Sequence, residues 1–257
     1  MKKILAAILT LSLCLIALTA CGSQDAFDLY RNMNNAMSDL SSVQANVDAR
    51  VSMEIDSEQI DVRMLMEIEQ VMHDETNIEL AMVMTTDMGA FGSMTMNMYY
   101  RDGYLYQDMM DIMGMRIRSP LPMDEMLEDM AMGGAALLFE RGDIRELSIR
   151  EVDANRELSF ILDGDALSDA LSDVMGDMME SMGISGMNMT FGDVDYTVLI
   201  GADYLPIEEH LVFTVEISFM GETINASYDM RITYVAFNTL TEINFPADLD
   251  EYVDGVL

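Results

Sequence analysis

Apolar and polar residues alternate one by one along most of this sequence. The alternation covers residues 47–55, 60–68, 78–84 and 94–98, and later the stretches 207–220 and 224–234. Because successive side chains of a β-strand point to opposite faces, a period of two predicts strands with one apolar and one solvated face. Strands of this kind are typical of antiparallel sheets. The Asp102-Gly103 pair between two such strands indicates a tight hairpin.

A further long strand over residues 187–200, and shorter ones over 115–118, 144–152, 157–162 and 240–245, complete the predicted sheet. In the stretch 187–200 the apolar parity switches between Phe191 and Val194. A β-bulge inserts one extra residue and would cause such a switch, so we expect a bulge at Gly192-Asp193. Pro246 ends the last strand, because proline cannot donate to a ladder.

Three other segments repeat apolar residues at helical spacing, over residues 26–40, 123–132 and 165–182. Asp163 or Asp165 is the expected N-cap of the third helix. No disordered linker separates these elements. We therefore expect one α+β domain over residues 26–257, in which three helices cover the apolar face of a large antiparallel sheet.

The first twenty residues have the organisation of a bacterial signal peptide. Lys2 and Lys3 precede an apolar run over residues 4–17, which is too short to span a membrane comfortably. Leu18-Thr19-Ala20-Cys21 then matches the lipoprotein signal, which implies that residues 1–20 are removed and that Cys21 carries lipid. Residues 21–25 would be a short tether to the extracytoplasmic face of the cell membrane, reaching at most about 14 Å. The alternative is an ordinary secretory peptide with an accidental cysteine.

Composition excludes several classes of function. A net charge of −33 argues against nucleic acid and against docking on an anionic membrane, since both need clustered Lys and Arg. Two cysteines, together with the distant His73 and His210, argue against a disulfide framework and a zinc site. Asp163-Gly164-Asp165 lacks the spacing of an EF-hand. No Gly-x-Ser-x-Gly or phosphate-binding motif occurs, so we expect no enzyme activity and no cofactor.

The 29 methionines allow three interpretations. They pack a core, they line a soft apolar cavity, or their thioethers bind copper(I). The copper candidates are the clusters Met109, Met110, Met113, Met115 and Met175, Met178, Met179, Met182. The candidate cavity-lining residues lie on the apolar parity of the strands: Met64, Met66, Met82, Met84, Met96, Met98, Phe213 and Phe219.

The chain resembles a family of uncharacterised lipoproteins from Gram-positive-type bacteria, and through it the LolA/LppX fold of lipid and lipoprotein carriers. The resemblance rests on the lipoprotein signal, the first helix that leads into Met-rich strands, the hairpin from Tyr100 to Tyr106, and the corner Asp203-Tyr204-Leu205-Pro206. It implies a curved half-barrel sheet with helices on its concave face, an apolar cavity and no catalytic residues.

Two functions remain open. The first is a monomeric, membrane-anchored protein that binds an apolar or lipid-like guest, or a lipidated protein, under the sheet. The second is a structural or interaction lipoprotein with a fully packed core. A solute receptor for a transporter is weaker, because such receptors usually need two α/β lobes and no repeating βαβ pattern is visible.

Overall fold

The computed structural model describes residues 25–55, 58–74, 77–89, 92–109, 114–121, 139–169, 188–219 and 222–255. Within these ranges thirteen strands form one sheet. They are β1 Ser42–Ile55, β2 Glu58–Asp74, β3 Asn77–Asp87, β4 Ser93–Arg101, β5 Tyr104–Met109, β6 Met115–Pro120, β7 Ile144–Val152, β8 Asn155–Leu162, β9 Asn188–Phe191, β10 Val194–Ile200, β11 Pro206–Phe219, β12 Glu222–Phe237 and β13 Val253–Asp254.

The strand order is β13-β6-β5-β4-β3-β2-β1-β12-β11-β10-β8-β7, and β9 pairs with β11. Every pair is antiparallel except β13 with β6. The sheet thus consists of two series of antiparallel neighbours, β1 to β6 and β7 to β12, which meet where β1 pairs with β12. The predicted antiparallel sheet is confirmed.

The tight hairpin predicted at Asp102-Gly103 is present between β4 and β5. Arg101 pairs with Tyr104, and the two residues between them, Asp102 and Gly103, have φ values of 53° and 77°. Two positive φ angles define the type I′ turn, which asparagine, aspartate and glycine adopt most easily.

Cross-strand register defines the two faces of the sheet. One row runs Val198, Glu209, Ile232, Val47, Met66, Met84, Met96 from β10 to β4, and we call the face that carries it the apolar face. Met66 is half-buried on this face whereas Glu67 is exposed on the other, and Val215 is buried whereas Glu216 is exposed. The predicted register of β2 and β11 is therefore confirmed, since a one-residue error would invert these residues together.

The predicted bulge is also present. Phe191 pairs with Val215 and Asp195 pairs with Val212, so three residues oppose two. The Gly192 amide donates to the Thr214 carbonyl at 2.8 Å. The predicted single strand over 187–200 is consequently divided into β9 and β10.

Two helices lie in the described ranges, α1 over residues 25–38 and α2, described over residues 164–169. Ala26, Leu29 and Met33 of α1 are buried against the apolar face. Asp163 caps α2, because its Oδ1 accepts from the amides of Asp165 at 3.0 Å and Ala166 at 3.4 Å. The predicted helix over 123–132, and the part of the third helix beyond residue 169, lie outside the described residues.

The predicted strand over 240–245 is wrong. This segment is irregular and crosses the outer face of β3 to β6 before the 3-10 helix Leu249–Glu251. The Ile243 amide donates to Glu79 at 3.0 Å, and the Phe245 ring meets the Tyr99 ring edge-on at 6.2 Å. Strand β12 is paired on both sides, with β1 and with β11. The segment that follows β12 therefore cannot add a strand next to it. Its apolar residues instead cover an outer face that the sequence predicted to be solvated.

Candidate binding site

Seven methionines meet on the apolar face of β2, β3 and β4. Register places Met66, Met84 and Met96 directly across from one another. Residues directly opposite in an antiparallel pair have Cβ atoms about 4.5–5.5 Å apart, so the rows form one continuous surface. We call this surface the methionine patch; it consists of Met64, Met66, Met82, Met84, Met94, Met96 and Met98.

All seven side chains of the methionine patch are half-buried. Gln107 directs its amide towards the Met98 sulfur at 3.9 Å. An unbranched thioether side chain has three rotatable bonds and fits surfaces of different shape, whereas a β-branched side chain holds one rotamer. The patch can therefore repack against apolar molecules of different shape.

The structure does not bring every predicted ligand-binding residue to this patch. Phe213 lies on the apolar face of β11, three strands from β2, and stacks on Tyr228 with ring centroids 4.8 Å apart. Phe219 ends β11, and its side chain lies outside the described residues. The six predicted methionines therefore lie together, whereas Phe213 lies elsewhere on the same face.

At the other end of the sheet, α1 packs on β8 and β10. Leu158, Val198 and Ile200 are completely buried there, and Phe160 lies edge-on to Tyr30 at 5.6 Å. We call this cluster the packed region; its buried members are Ala26, Leu29, Tyr30, Met33, Ile144, Leu158, Phe160, Leu162, Val194, Val198 and Ile200.

A carboxylate interrupts the apolar face between these two regions. Glu209 shares the row of Val198 and Met66, and its Oε1 accepts from the Tyr234 hydroxyl at 2.6 Å. The Tyr196 hydroxyl also hydrogen-bonds this carboxylate. Burial raises the pKa of Glu209, although both tyrosine hydrogen bonds act to lower it.

Helix α1 brings the Tyr30 hydroxyl within range of the Glu209 charge, with Asn34 beside it. The Tyr30 hydroxyl accepts from the Phe139 amide at 3.4 Å and faces the Asn34 side chain. Burial, reinforced by the negative charge of Glu209, raises the pKa of Tyr30. The Nδ2 atom of Asn34 is buried beside this hydroxyl, and the contact acts to lower the pKa of Tyr30. We call these residues the Glu209 cluster: Tyr30, Asn34, Tyr196, Glu209 and Tyr234.

The sequence analysis did not single out Glu209, but the sequence carries a signal. Odd-numbered positions of β11 are apolar at Ile207, Leu211, Phe213 and Val215, and Glu209 alone interrupts this series. A charged residue at a core-facing position is either paired or functional.

Two shallow depressions lie on the outer face, with volumes of about 340 and 470 Å³. Polar side chains dominate both, with Asp48, Glu67 and Arg231 around the first and Ser52 and Ser227 around the second. Neither depression is the apolar cavity expected from the sequence.

The residues considered as metal ligands in the sequence analysis do not come together in the described part of the chain. In the described residues no group of three or more His, Cys, Asp or Glu side chains is placed to hold a metal ion. His73 lies 3.5 Å from Glu79, and His210 contacts Asp229 at 2.8 Å. Met115 of the first copper candidate is exposed, and residues 110–113 and the whole second candidate lie outside the described ranges.

No helix among the described residues is both long and apolar enough to span a membrane.

Comparisons with known proteins give a family and several similar structures. A family model described as a family of unknown function (DUF6612) matches residues 25–252. A search of curated proteins finds no significant match. LprF from Mycobacterium bovis has 13% identity and a TM-score of 0.46, with 88% of this chain and 99% of that chain covered.

Two further solved structures are similar over most of their length. A DUF1329 family protein from Desulfovibrio piger has 8% identity and a TM-score of 0.31, over 83% of this chain and 93% of that chain. A putative outer membrane lipoprotein-sorting protein domain from Vibrio parahaemolyticus has 9% identity and a TM-score of 0.29, over 89% and 97%.

Proposed function

We propose that this chain, which belongs to the DUF6612 family, is a lipid-anchored extracytoplasmic protein that binds an apolar, lipid-like guest on its methionine patch. The observation that carries the proposal is the register of seven half-buried methionines on three neighbouring strands. Flexible thioether side chains are typical of surfaces that accept apolar molecules of different shape. The proposal includes no chemical step and no cofactor, and it describes a monomer.

Charge distribution supports contact through the apolar face. The outer face carries many carboxylates, and the whole chain has a net charge of −33. Such a surface is repelled by anionic lipid headgroups. A guest that leaves a bilayer would therefore meet the protein at the apolar face rather than at the outer strands.

Binding of a fluorescent acyl ester to the purified chain tests this function. We expect stoichiometric binding near one-to-one, and Met84→Trp should weaken it by filling the patch. Leu65→Trp is the matched control, because Leu65 is 42% exposed on the outer face of β2. Absent binding, or equal binding by both folded variants, would support the structural or interaction role instead.

Anchoring is a separate part of the proposal, since Cys21 lies outside the described residues. The sequence Leu18-Thr19-Ala20-Cys21 supports it. Cys21→Ser should abolish incorporation of labelled fatty acid and release the protein or leave it as precursor. A serine variant that is still labelled and membrane-bound like the wild type would contradict the lipoprotein assignment.

A further inference from the structure

The methionine patch brings seven oxidisable sulfur atoms together on one surface. Its side chains are all half-buried and therefore partly in contact with solvent, whereas Met33 in the packed region is only 3% exposed. Thiols and thioethers are the side-chain groups that two-electron oxidants attack most readily. Both cysteines lie within the first 21 residues, outside the described ranges, so the patch is the largest oxidisable group that the structure describes.

Two hydrogen-bond donors border the methionines on the same face. Register places Thr86 directly between Met64 and Met94. Gln107 lies directly opposite Met98, and its Nε2 atom is directed at the Met98 sulfur at 3.9 Å. A thioether is only a weak acceptor, so this contact contributes little while the sulfur is reduced.

The middle row of the patch has a different environment. Met66, Met84 and Met96 continue towards β1 into Val47, and this row contains no side-chain donor between β1 and β4. A polar atom added to these side chains would therefore have water as its partner while the patch is open. Beneath an apolar guest it would have no partner at all.

Oxidation by a peroxide adds such an atom. The sulfur lone pair attacks one oxygen of hydrogen peroxide, and the S–O bond forms as the O–O bond breaks. The proton of the transferred oxygen passes to the other oxygen, which leaves as water. Sulfur loses two electrons and the peroxide gains two, and the product is a polar sulfoxide.

Sulfoxides have opposite effects on the fold and on the guest. Along the border, sulfoxide oxygens would be acceptors for the Thr86 hydroxyl and the Gln107 amide, which stabilises the oxidised sheet. In the middle row, an apolar guest would bury sulfoxides without a hydrogen bond, which is unfavourable. The oxidised patch therefore favours water over an apolar guest while the strands stay paired.

We infer that the methionine patch is a reversible oxidation site, at which a peroxide converts thioethers to sulfoxides and thereby releases the apolar guest. This inference rests on the proposed function, because the released molecule is the one that the patch binds. It adds control of binding by an oxidant. Reduction of each sulfoxide by two thiols, which yields a thioether, a disulfide and water, restores the patch.

Binding of the fluorescent acyl ester before and after hydrogen peroxide tests the inference, with peptide mass analysis to locate each added oxygen. We expect the patch methionines to be oxidised before Met33, and ester binding to weaken at least about tenfold. Treatment with both methionine sulfoxide reductases, one for each sulfoxide epimer, and a thiol should restore binding. Thermal unfolding should show that the oxidised chain is still folded.

A triple variant locates the effect in the middle row. Met66→Leu, Met84→Leu and Met96→Leu together remove three sulfur atoms and keep an apolar side chain of similar volume. The quantity compared is the ratio of affinities after and before oxidation, and it should change less than about threefold. Met115→Leu is the control, because Met115 is 44% exposed on β6 outside the patch, and this variant should lose binding like the wild type.

Gln107→Leu tests the border independently of the guest. Since Gln107 donates to a strong acceptor only after oxidation, this variant should lower the melting temperature of the oxidised chain more than that of the reduced chain. Equal changes in the two states would contradict the role of Gln107 and the fold's tolerance of the sulfoxides.

The outcomes separate this inference from the proposed function. An oxidised patch that binds the ester as before would overturn the inference and leave the apolar guest in place. Loss of binding that is equal in the triple variant, that the reductases do not reverse, or that accompanies unfolding would also overturn it, because oxidation would then act elsewhere or by damage. Absence of binding by the reduced wild type would overturn the proposed function and the inference together.

Discussion

The packed region and the methionine patch occupy the same face of one sheet but are built from different residues. In the packed region, Leu158, Val198 and Ile200 are completely buried beneath α1. In the methionine patch, no side chain reaches that degree of burial. The β-branched side chains of Val198 and Ile200 hold a fixed surface, whereas methionine adapts its shape. One end of the sheet is thus suited to stability, and the other to contact with a partner of variable shape.

Strand β1 joins the two regions and resembles the packed one. Ala45, Val47, Ala49 and Val51 are small side chains on its apolar face, and each is at most 6% exposed. The Glu209 cluster lies on the side of β1 that faces the packed region, and the methionines lie on the other side. The polar site and the adaptable site are therefore separated by a narrow, rigid strip of core.

Truncation of one side chain in each region measures this difference. Leu158→Ala should reduce the free energy of unfolding by about 2–5 kcal/mol, since it leaves a cavity in a fully packed site. Met84→Ala should cost only about 1–2 kcal/mol, because that side chain is only partly buried and its neighbours can move. Urea denaturation provides both values, and equal losses would contradict the contrast between the regions.

Glycine substitutions extend the comparison to the backbone. A Cβ atom on Gly164 at the start of α2 would lie 2.5 Å from the backbone carbon of Gly192 and against other backbone atoms of the bulge. Gly164→Ala should therefore cost about 1–3 kcal/mol through a forced backbone shift. Gly89, after β3, has open space around it and a φ of +60°, so Gly89→Ala should cost only about 1 kcal/mol from its left-handed backbone. Thermal unfolding compares the two variants, and a harmless Gly164→Ala would indicate that α2 is not closely fitted to the bulge.

Local patterns in the sequence predicted most of the sheet. The period of two identified the long strands, Asp102-Gly103 identified a hairpin, and the parity switch after Phe191 identified the bulge, because each depends only on neighbours in the chain. The segment 240–245 has the same local pattern, but its conformation depends on whether a sheet edge is free. That condition is set by the pairing of β12 with both β1 and β11, which no local pattern reveals.

Local patterns also predicted part of the candidate site. The apolar parity of β2, β3 and β4 identified the methionines, and the register of three strands brought them together. Phe213 has the correct parity, but the strand order places it beyond β1 and β12, far from the patch. Convergence of Tyr30, Tyr196 and Tyr234 on Glu209 joins residues from three separate elements, and only the topology produces it.

The pH dependence of stability distinguishes the Glu209 cluster from both apolar regions, with the smallest expected effect. Burial raises the pKa of Glu209 above its ordinary value of 4.5, so the folded protein holds this proton more tightly than the unfolded chain does. The resulting contribution to stability is complete below 4.5 and is lost as the pH rises through the higher pKa of the folded state. The groups that face it, Tyr30, Tyr196 and Tyr234, have raised pKa values and stay protonated over this range. As the pH rises from 4.5 through the higher folded-state pKa, the melting temperature of Glu209→Gln should therefore rise relative to the wild type.

Glutamine keeps the shape and the acceptor oxygen, so the tyrosine hydroxyls retain a partner and the change isolates the charge. Glu208→Gln should show no such pH-dependent gain, because Glu208 is paired with Arg231 on the outer face. Melting curves of the three proteins across this pH range provide the measurement. If the difference between Glu209→Gln and the wild type does not change with pH, or if Glu208→Gln shows the same trend, then the charge of Glu209 is solvated like those of the outer face. In that case the Glu209 cluster is not a distinct polar site on the apolar face.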